Sequence, residues 1–213
     1  MIGTQRHLRA DAERNRARIV DAARTAFVEH GADVSMDEIA RRAGVGNATV
    51  YRHFSDRRDL IHQVTLSSMD HIADEAETAL AEEADPFDAL RRFVHRAADE
   101  RISSLCPLLS GGFDKTAPDV LATRDRLNSA IEHIMDAART AGRLRADIAV
   151  GDLMVAVTQL SRPLPGTGCV DFDRYVHRHL QLFLDGLETP ARSELPGKAA
   201  TLEDLAPQRC EPM

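Results

Sequence analysis

The stretch VSMDEIARRAGVGNATVYRHFSDR, residues 34–57, decides the fold. Ser35 and Glu38 have the S-x-x-E spacing of a capping box. In that motif the Ser35 hydroxyl accepts from the Glu38 N–H, and the Glu38 side chain returns to the Ser35 N–H. Val34 and Ile39 stand at the two positions of a hydrophobic staple. A helix is therefore predicted from Met36, with Ile39, Ala40 and Ala43 on one face. Gly44 is placed to end it in the left-handed region, Val45 to plug the turn, and Gly46 to let the chain swing round. A second short helix is predicted from Asn47 to about Phe54, with Val50 and Phe54 packing inward from one face.

Two short helices about a tight turn read as a helix-turn-helix, and the outer side of the second suits a DNA groove. Asn47 and Ala48 are small enough for close approach to base edges. Thr49 offers a methyl and a hydroxyl, Asn47 a paired donor and acceptor, and Arg52 a fork for guanine or phosphate. Tyr51 and His53 are donors for phosphate oxygens. Ser55 is placed to cap the next helix, whose free N–H groups, with Arg57, would face another phosphate. The expected DNA-binding set is Ser35, Asn47, Ala48, Thr49, Tyr51, Arg52, His53 and Arg57. The competing reading is an ordinary helical hairpin with a polar outer face.

The segment AGVGNATVYRHFSDRRDLI, residues 43–61, resembles the recognition segment of the tetracycline-repressor (TetR) family of transcriptional regulators. That family's usual pattern is close to AGVSxGTxYxHFxxKxxLL. The family's capping serine is Gly46 here, the glycine before its threonine is Ala48, and its lysine is matched by Arg57. The resemblance covers about the first sixty to seventy residues, the usual extent of a small motif-bearing unit. Beyond them only the all-helical layout is similar. For the whole chain the resemblance implies about nine helices.

A net charge of −7 looks wrong for a DNA binder until it is divided. Residues 1–60 hold 11 Arg against 9 Asp and Glu, a balance of +2, which leaves −9 for residues 61–213. The basic end therefore carries the motif, as a nucleic-acid partner requires. Three scattered cysteines, Cys106, Cys169 and Cys210, lack C-x-x-C spacing and fit a reducing compartment. No apolar run is long enough to span a bilayer, and the first residues lack the apolar region of a signal peptide, so the expectation is cytoplasmic with no membrane partner.

Along the chain, residues 1–13 read as a polar, mobile, solvated tail. From Arg14 to His30 a helical stripe of Ile19, Ala22, Ala23, Ala26 and Phe27 should close a three-helix core. Arg14, Arg16 and Arg18 cluster near its start, in reach of backbone phosphate. A long helix is predicted after Ser55 to about Ala84. It carries His62 and His71, read as surface or core residues rather than ligands. Pro86 opens the next helix, to about Ser103. SSLCPLLSGGFDKTAP, residues 103–118, reads as a short helix plus a loop. Helices follow from Pro118 to near Gly142, over 149–161, and from about Phe172 to Leu187, with no plausible strand.

Catalytic and metal-binding patterns such as G-x-S-x-G, H-E-x-x-H, a phosphate-binding glycine loop or paired cysteines are missing. An enzyme is therefore not expected, nor a cofactor or a metal. His177 and His179, two apart on a helix, point to different faces and make a poor shared metal site.

The expected protein is all-α. Residues 1–60 form a helix-turn-helix domain with its motif at about 34–54, residues 61–188 a helical bundle for effector binding and dimerisation, and residues 189–213 a disordered tail. The function expected is a ligand-responsive DNA-binding regulator. It would act as a repressor that binds a pseudo-palindromic operator as a homodimer and is released by a small-molecule effector. The alternative is a redox- or metal-responsive DNA-binding regulator using Cys106 or Cys169. Effector candidates are Phe87, Phe93, His95, Phe113, Met135, Met154 and Thr158, because aromatic, Met and lone polar groups suit an apolar cavity; each fits a filled core equally well. The apolar residues of the last helix spread over an arc of roughly 200°, wider than its own core needs. Val176, Leu180, Phe183 and Leu184 are therefore the expected dimer interface.

Overall fold

A computed structural model describes residues 2–30, 33–100, 114–162, 173–202, 204 and 205. Among them are eight helices: α1 (Ile2–His30), α2 (Met36–Ala43), α3 (Asn47–His53), α4 (Arg57–Glu82), α5 (Pro86–Asp99), α6 (Pro118–Thr140), α7 (Val150–Leu160) and α8 (Asp173–Asp185). The short helix expected within 103–118 falls mostly outside the described residues. The chain divides into two compact units, Met1–Asp70 with Ser104–Thr123, and His71–Ser103 with Arg124–Met213.

In the first unit α1 begins at Ile2, not at Arg14. After Gly3 the sequence has no glycine or proline until Gly31, and its Ala, Arg, Gln, Glu and Leu favour helix, so nothing stops the helix from starting early. Ile19, Ala23, Ala26 and Phe27 of α1 meet Ile39, Ala40 and Ala43 of α2, Val50 and Phe54, and Leu60, Ile61 and Val64 of α4 in one core. Val34, at 8% exposure, joins Ile39 in that core as a staple should.

α2 starts on one half of the expected capping box and ends in a full Schellman motif. Ser35 Oγ accepts from the Glu38 N–H at 3.2 Å. Gly44 adopts φ 64°, ψ 36°; its N–H donates to the Arg41 carbonyl, and the Val45 N–H donates to the Ala40 carbonyl. Gly46 differs from expectation. Its φ of −71° and ψ of 147° are ordinary extended backbone, so the swing of the chain does not depend on glycine there. The start of α4 differs too. Asp56, not Ser55, accepts the Asp59 N–H, at 2.9 Å, while the Asp59 carboxylate reaches back to the Ser55 N–H at 2.9 Å. An aspartate side chain outcompetes the serine because it brings charge to the positive end of the helix.

In the second unit α8 packs on α5 and α7, and α5 also meets α7. Asp85 caps α5 by accepting the Phe87 N–H at 2.7 Å, with Pro86 in the first turn. Phe87, Leu90 and Phe93 of α5, Ile131, Ile134 and Met135 of α6, Leu153 of α7, and Leu180 and Leu184 of α8 are fully or almost fully buried. Gly142, at φ 68°, ends the long helix as expected. An isolated bridge between Leu144 and Glu188 then ties the chain after α8 to the turn after α6. Arg145, 6% exposed, donates to both Asp147 carboxylate oxygens and to the Ser193 carbonyl at 2.8 Å.

Beyond Glu188 the described part of the stretch read as a tail is tied to α7. The Ala200 N–H donates to Asp152, and a Cβ on Gly151 would lie 2.3 Å from the Ala200 oxygen. Only a glycine lets the chain pass that close.

Candidate nucleic-acid interface

The α2–turn–α3 unit sorts its residues into two faces. Val50 and Phe54 are completely buried, whereas Asn47, Ala48, Tyr51 and Arg52 are exposed and Thr49 and His53 half-buried. Tyr51 is 51% exposed, although large aromatic side chains are usually highly buried. Five of the eight expected DNA-contact residues, Asn47, Ala48, Thr49, Tyr51 and Arg52, therefore lie on neighbouring outward positions of one short helix. Arg52 folds back along α3, donating from Nε to the Ala48 carbonyl at 3.1 Å. Asn47 donates its amide N–H to the Asp37 carboxylate of α2. A carboxylate only accepts, so the Asn47 carbonyl oxygen faces away from Asp37.

Of the remaining three, His53 lies half-buried at the end of α3 beside the Phe54 ring, while Ser35 and Arg57 have other partners. Ser35 uses its hydroxyl as the α2 cap. Arg57 is turned inward: Nη1 donates to the Val34 carbonyl, and the guanidinium lies 5.5 Å from the centre of the Phe27 ring. Expected at a phosphate, the side chain is placed instead against its own domain. Its planar cation stacks on an aromatic face and closes the loop before α2.

The arginines of α1 are likewise divided among partners. Arg14 pairs with Asp11, Arg16 lies over the Phe54 ring at 5.3 Å, and Arg18 donates to the Ala43 carbonyl at 2.6 Å. Sequence reading missed these two bracing roles. The signal for Arg18 is a cation one helix away from a glycine-capped C-terminus, where the last carbonyls carry negative charge.

Glu38, expected back on the Ser35 N–H, is held by Arg41 at 2.7 and 2.8 Å and by Arg42 at 2.8 Å. These bonds, Arg41 first and Arg42 second, lower its carboxyl from 4.5 to about 2. Arg42 also reaches Glu29 and, at 2.7 Å, His30, so α1 and α2 are joined by charge as well as by apolar packing.

The expected effector residues differ in burial. Phe87, Phe93 and Met135 are core, at 0–1% exposure; His95, Met154 and Thr158 are half-buried, and Phe113 lies outside the described residues. A cleft of about 430 Å³ beside Arg145, Asp147, Ser193 and Glu194 contains none of them. Of the four residues expected at the interface, Phe183 is half-buried on α8. Val176, Leu180 and Leu184 are at most 5% exposed within their own chain, because the i, i+4, i+8 stripe of α8 is the one that meets its own core. The apolar surplus is Tyr175 and Leu182, with Val155 of α7, at 43%, 59% and 41% exposure. Among the described residues no group of three or more His, Cys, Asp or Glu is placed to hold a metal, and no helix is long and apolar enough to cross a membrane.

A three-helix core presenting a short helix through a glycine-capped turn is the architecture of a helix-turn-helix DNA-binding unit. Residues 19–64 match the sequence model of bacterial regulatory proteins of the tetR family, and residues 85–189 that of the SbtR-like transcriptional regulator C-terminal domain. The chain belongs to the TetR family of transcriptional regulators. A TetR regulator of Streptomyces coelicolor is 32% identical over 83% of this chain and 99% of its own, with a TM-score of 0.65. One from Mycobacterium vanbaalenii is 34% identical over 85% and 99%, also at 0.65. An HTH-type transcriptional regulator of Staphylococcus aureus is 42% identical over 64 residues, 30% of this chain. That match spans only 35% of the curated relative's length. Family membership makes the protein a DNA-binding transcription factor rather than an enzyme.

Proposed function

We propose that the chain is a homodimeric, cytoplasmic repressor that binds a pseudo-palindromic operator through α3 and leaves it when a small effector binds within residues 61–188. The observation that carries the reading is the sorting of α3 and its C-cap, which buries Val50 and Phe54 and turns Ala48, Tyr51 and Arg52 outward. In a two-fold dimer, two such helices about 34–36 Å apart match successive major grooves. TetR family regulators act on operator DNA as dimers. The exposed Tyr175 and Leu182, seven apart on α8, and Val155 on α7 supply an apolar face for the partner copy. Residues 1–60 then carry DNA recognition and residues 61–188 carry dimerisation and effector binding, with Met154, Thr158 and His95 the half-buried candidates for the pocket.

An effector that releases DNA binds the DNA-free form more tightly, and by linkage DNA weakens effector binding by the same factor. Metabolite fractions are screened for release of the chain from a selected duplex, and the active compound is then titrated calorimetrically with and without that duplex. Weaker binding in the presence of DNA is expected. Equal affinities in both titrations contradict release by that effector.

A further inference from the structure

Two histidines from different helices of the second unit face each other ring to ring. His95 Nδ1 on α5 and His177 Nδ1 on α8 are 2.9 Å apart, with ring centres separated by 5.1 Å. Each outer nitrogen meets an oxygen: His177 Nε2 lies 3.0 Å from Asp99 Oδ1, and His95 Nε2 lies 3.4 Å from Gln181 Oε1. The Gln181 amide is oriented by Asp185, which accepts from its Nε2 at 2.6 Å. Both outer partners are thus acceptors, so both outer nitrogens carry protons. Two bare Nδ1 atoms at this distance would oppose lone pair to lone pair. One further proton between them satisfies every contact.

We infer that His95 and His177 hold one shared proton between their Nδ1 atoms, a latch that joins α5 to α8 and opens when a second proton enters. The two rings then carry three protons and a single positive charge. A fourth proton sets two N–H groups against each other at the same short distance and puts two charges side by side. Loss of the third leaves His95 Nε2 facing the Gln181 oxygen without a proton, which only an amide flip relieves, and the flip breaks the bond to Asp185.

The surrounding charges fit one positive charge and not two. Asp99 balances it from α5, where Arg91 opposes further protonation of His95. α8 contributes His177, Gln181 and, behind it, Asp185. α7 has one titratable residue, Asp152, taken by the Ala149 and Ala200 N–H groups. From α4, Glu82 and Glu83 are held by Arg92, and His71 is paired with Glu100. Burial is the largest influence on His95 and moves its protonation to lower pH. The third proton therefore enters only as pH falls below neutral, so the latch forms on mild acidification and is lost again at lower pH, when the fourth proton binds.

The test is a double-mutant cycle on the full chain with His95→Asn, His177→Asn and both together, read by melting in chelator between about pH 4 and 8. The cycle cancels every other titrating group. The expected result is a coupling of about five-fold in the folding equilibrium constant at mildly acidic pH that falls away toward both ends of the range. No coupling at any pH, or a coupling that stays the same throughout the range, overturns the inference. Ring ¹⁵N spectra of the unmodified chain give a second reading should a variant fail to fold. The two Nδ1 signals should move together as pH changes, and independent titration overturns the latch. A stoichiometric rise in melting temperature on adding Zn²⁺, absent from both single variants, would make the pair a metal site instead and also overturn it.

Discussion

Arg18 Nη2 donates to the carbonyl of Ala43 at 2.6 Å. That carbonyl is among the last of α2, which the helix cannot satisfy itself. The next residue, Gly44, sits at φ 64°, and a Cβ there would lie 2.8 Å from the same Arg18 nitrogen. One contact thus ties α1 to the turn that aims α3. Gly44→Ala should lower stability by about 1–2 kcal/mol from the left-handed backbone alone. Denaturant unfolding of the full chain measures this, and an unchanged midpoint contradicts the cap.

Arg57→Ala should act on stability rather than on DNA. It removes the stacking on Phe27 and the bond to the Val34 carbonyl, together about 1–2 kcal/mol. Arg52→Ala, at an exposed position, should leave stability within about 0.5 kcal/mol and reduce the salt slope of DNA binding by about one. Melting curves and binding at several salt concentrations separate the two. The reverse pattern would restore Arg57 to the interface.

Glu38 gives a pH dependence of known sign. Its folded value near 2 lies below the ordinary 4.5, so its stabilising contribution is complete above about 4.5 and is lost as pH falls through 2. The stability gap between the unmodified chain and Glu38→Gln should hold at neutral pH and close over that window. A gap that persists at pH 2 contradicts the Arg41–Glu38–Arg42 cluster.

Leu182→Arg and Leu180→Arg should part company. Leu182 is 59% exposed and Leu180 is completely buried. The first should give a folded monomer and the second an unfolded chain, since an unpaired charge in a core is among the costliest substitutions. Sedimentation and circular dichroism report both. A dimeric Leu182→Arg protein places the interface elsewhere.

The features legible in the sequence are the local ones. The Val34–Ile39 staple, the Gly44 and Gly142 caps and the inward pair Val50 and Phe54 each depend on neighbours within a turn or two, so spacing alone reveals them. The inward placement of Arg57 was not legible, because its partners, Phe27 and the Val34 carbonyl, arrive only when α1 folds against α2. The wide apolar arc of α8 was visible, but a helical wheel gives the width of an arc and not the part that meets its own core. Hence Val176, Leu180 and Leu184 lie in the core of their own chain while Tyr175 and Leu182 stay exposed. His177 reads as a lone residue beside His179, because its partner His95 is 82 residues away.

Selection of duplexes from random sequence, followed by anisotropy titration of the best one, tests DNA recognition by α3 most directly. The unmodified chain should bind two copies per pseudo-palindromic duplex, with affinity falling linearly in log salt. Tyr51→Ala with Thr49→Val should weaken binding by about ten-fold or more and alter the selected sequence, while melting stays unchanged. A folded double variant that selects the same duplex with the same affinity would contradict the assignment of α3 as the recognition helix.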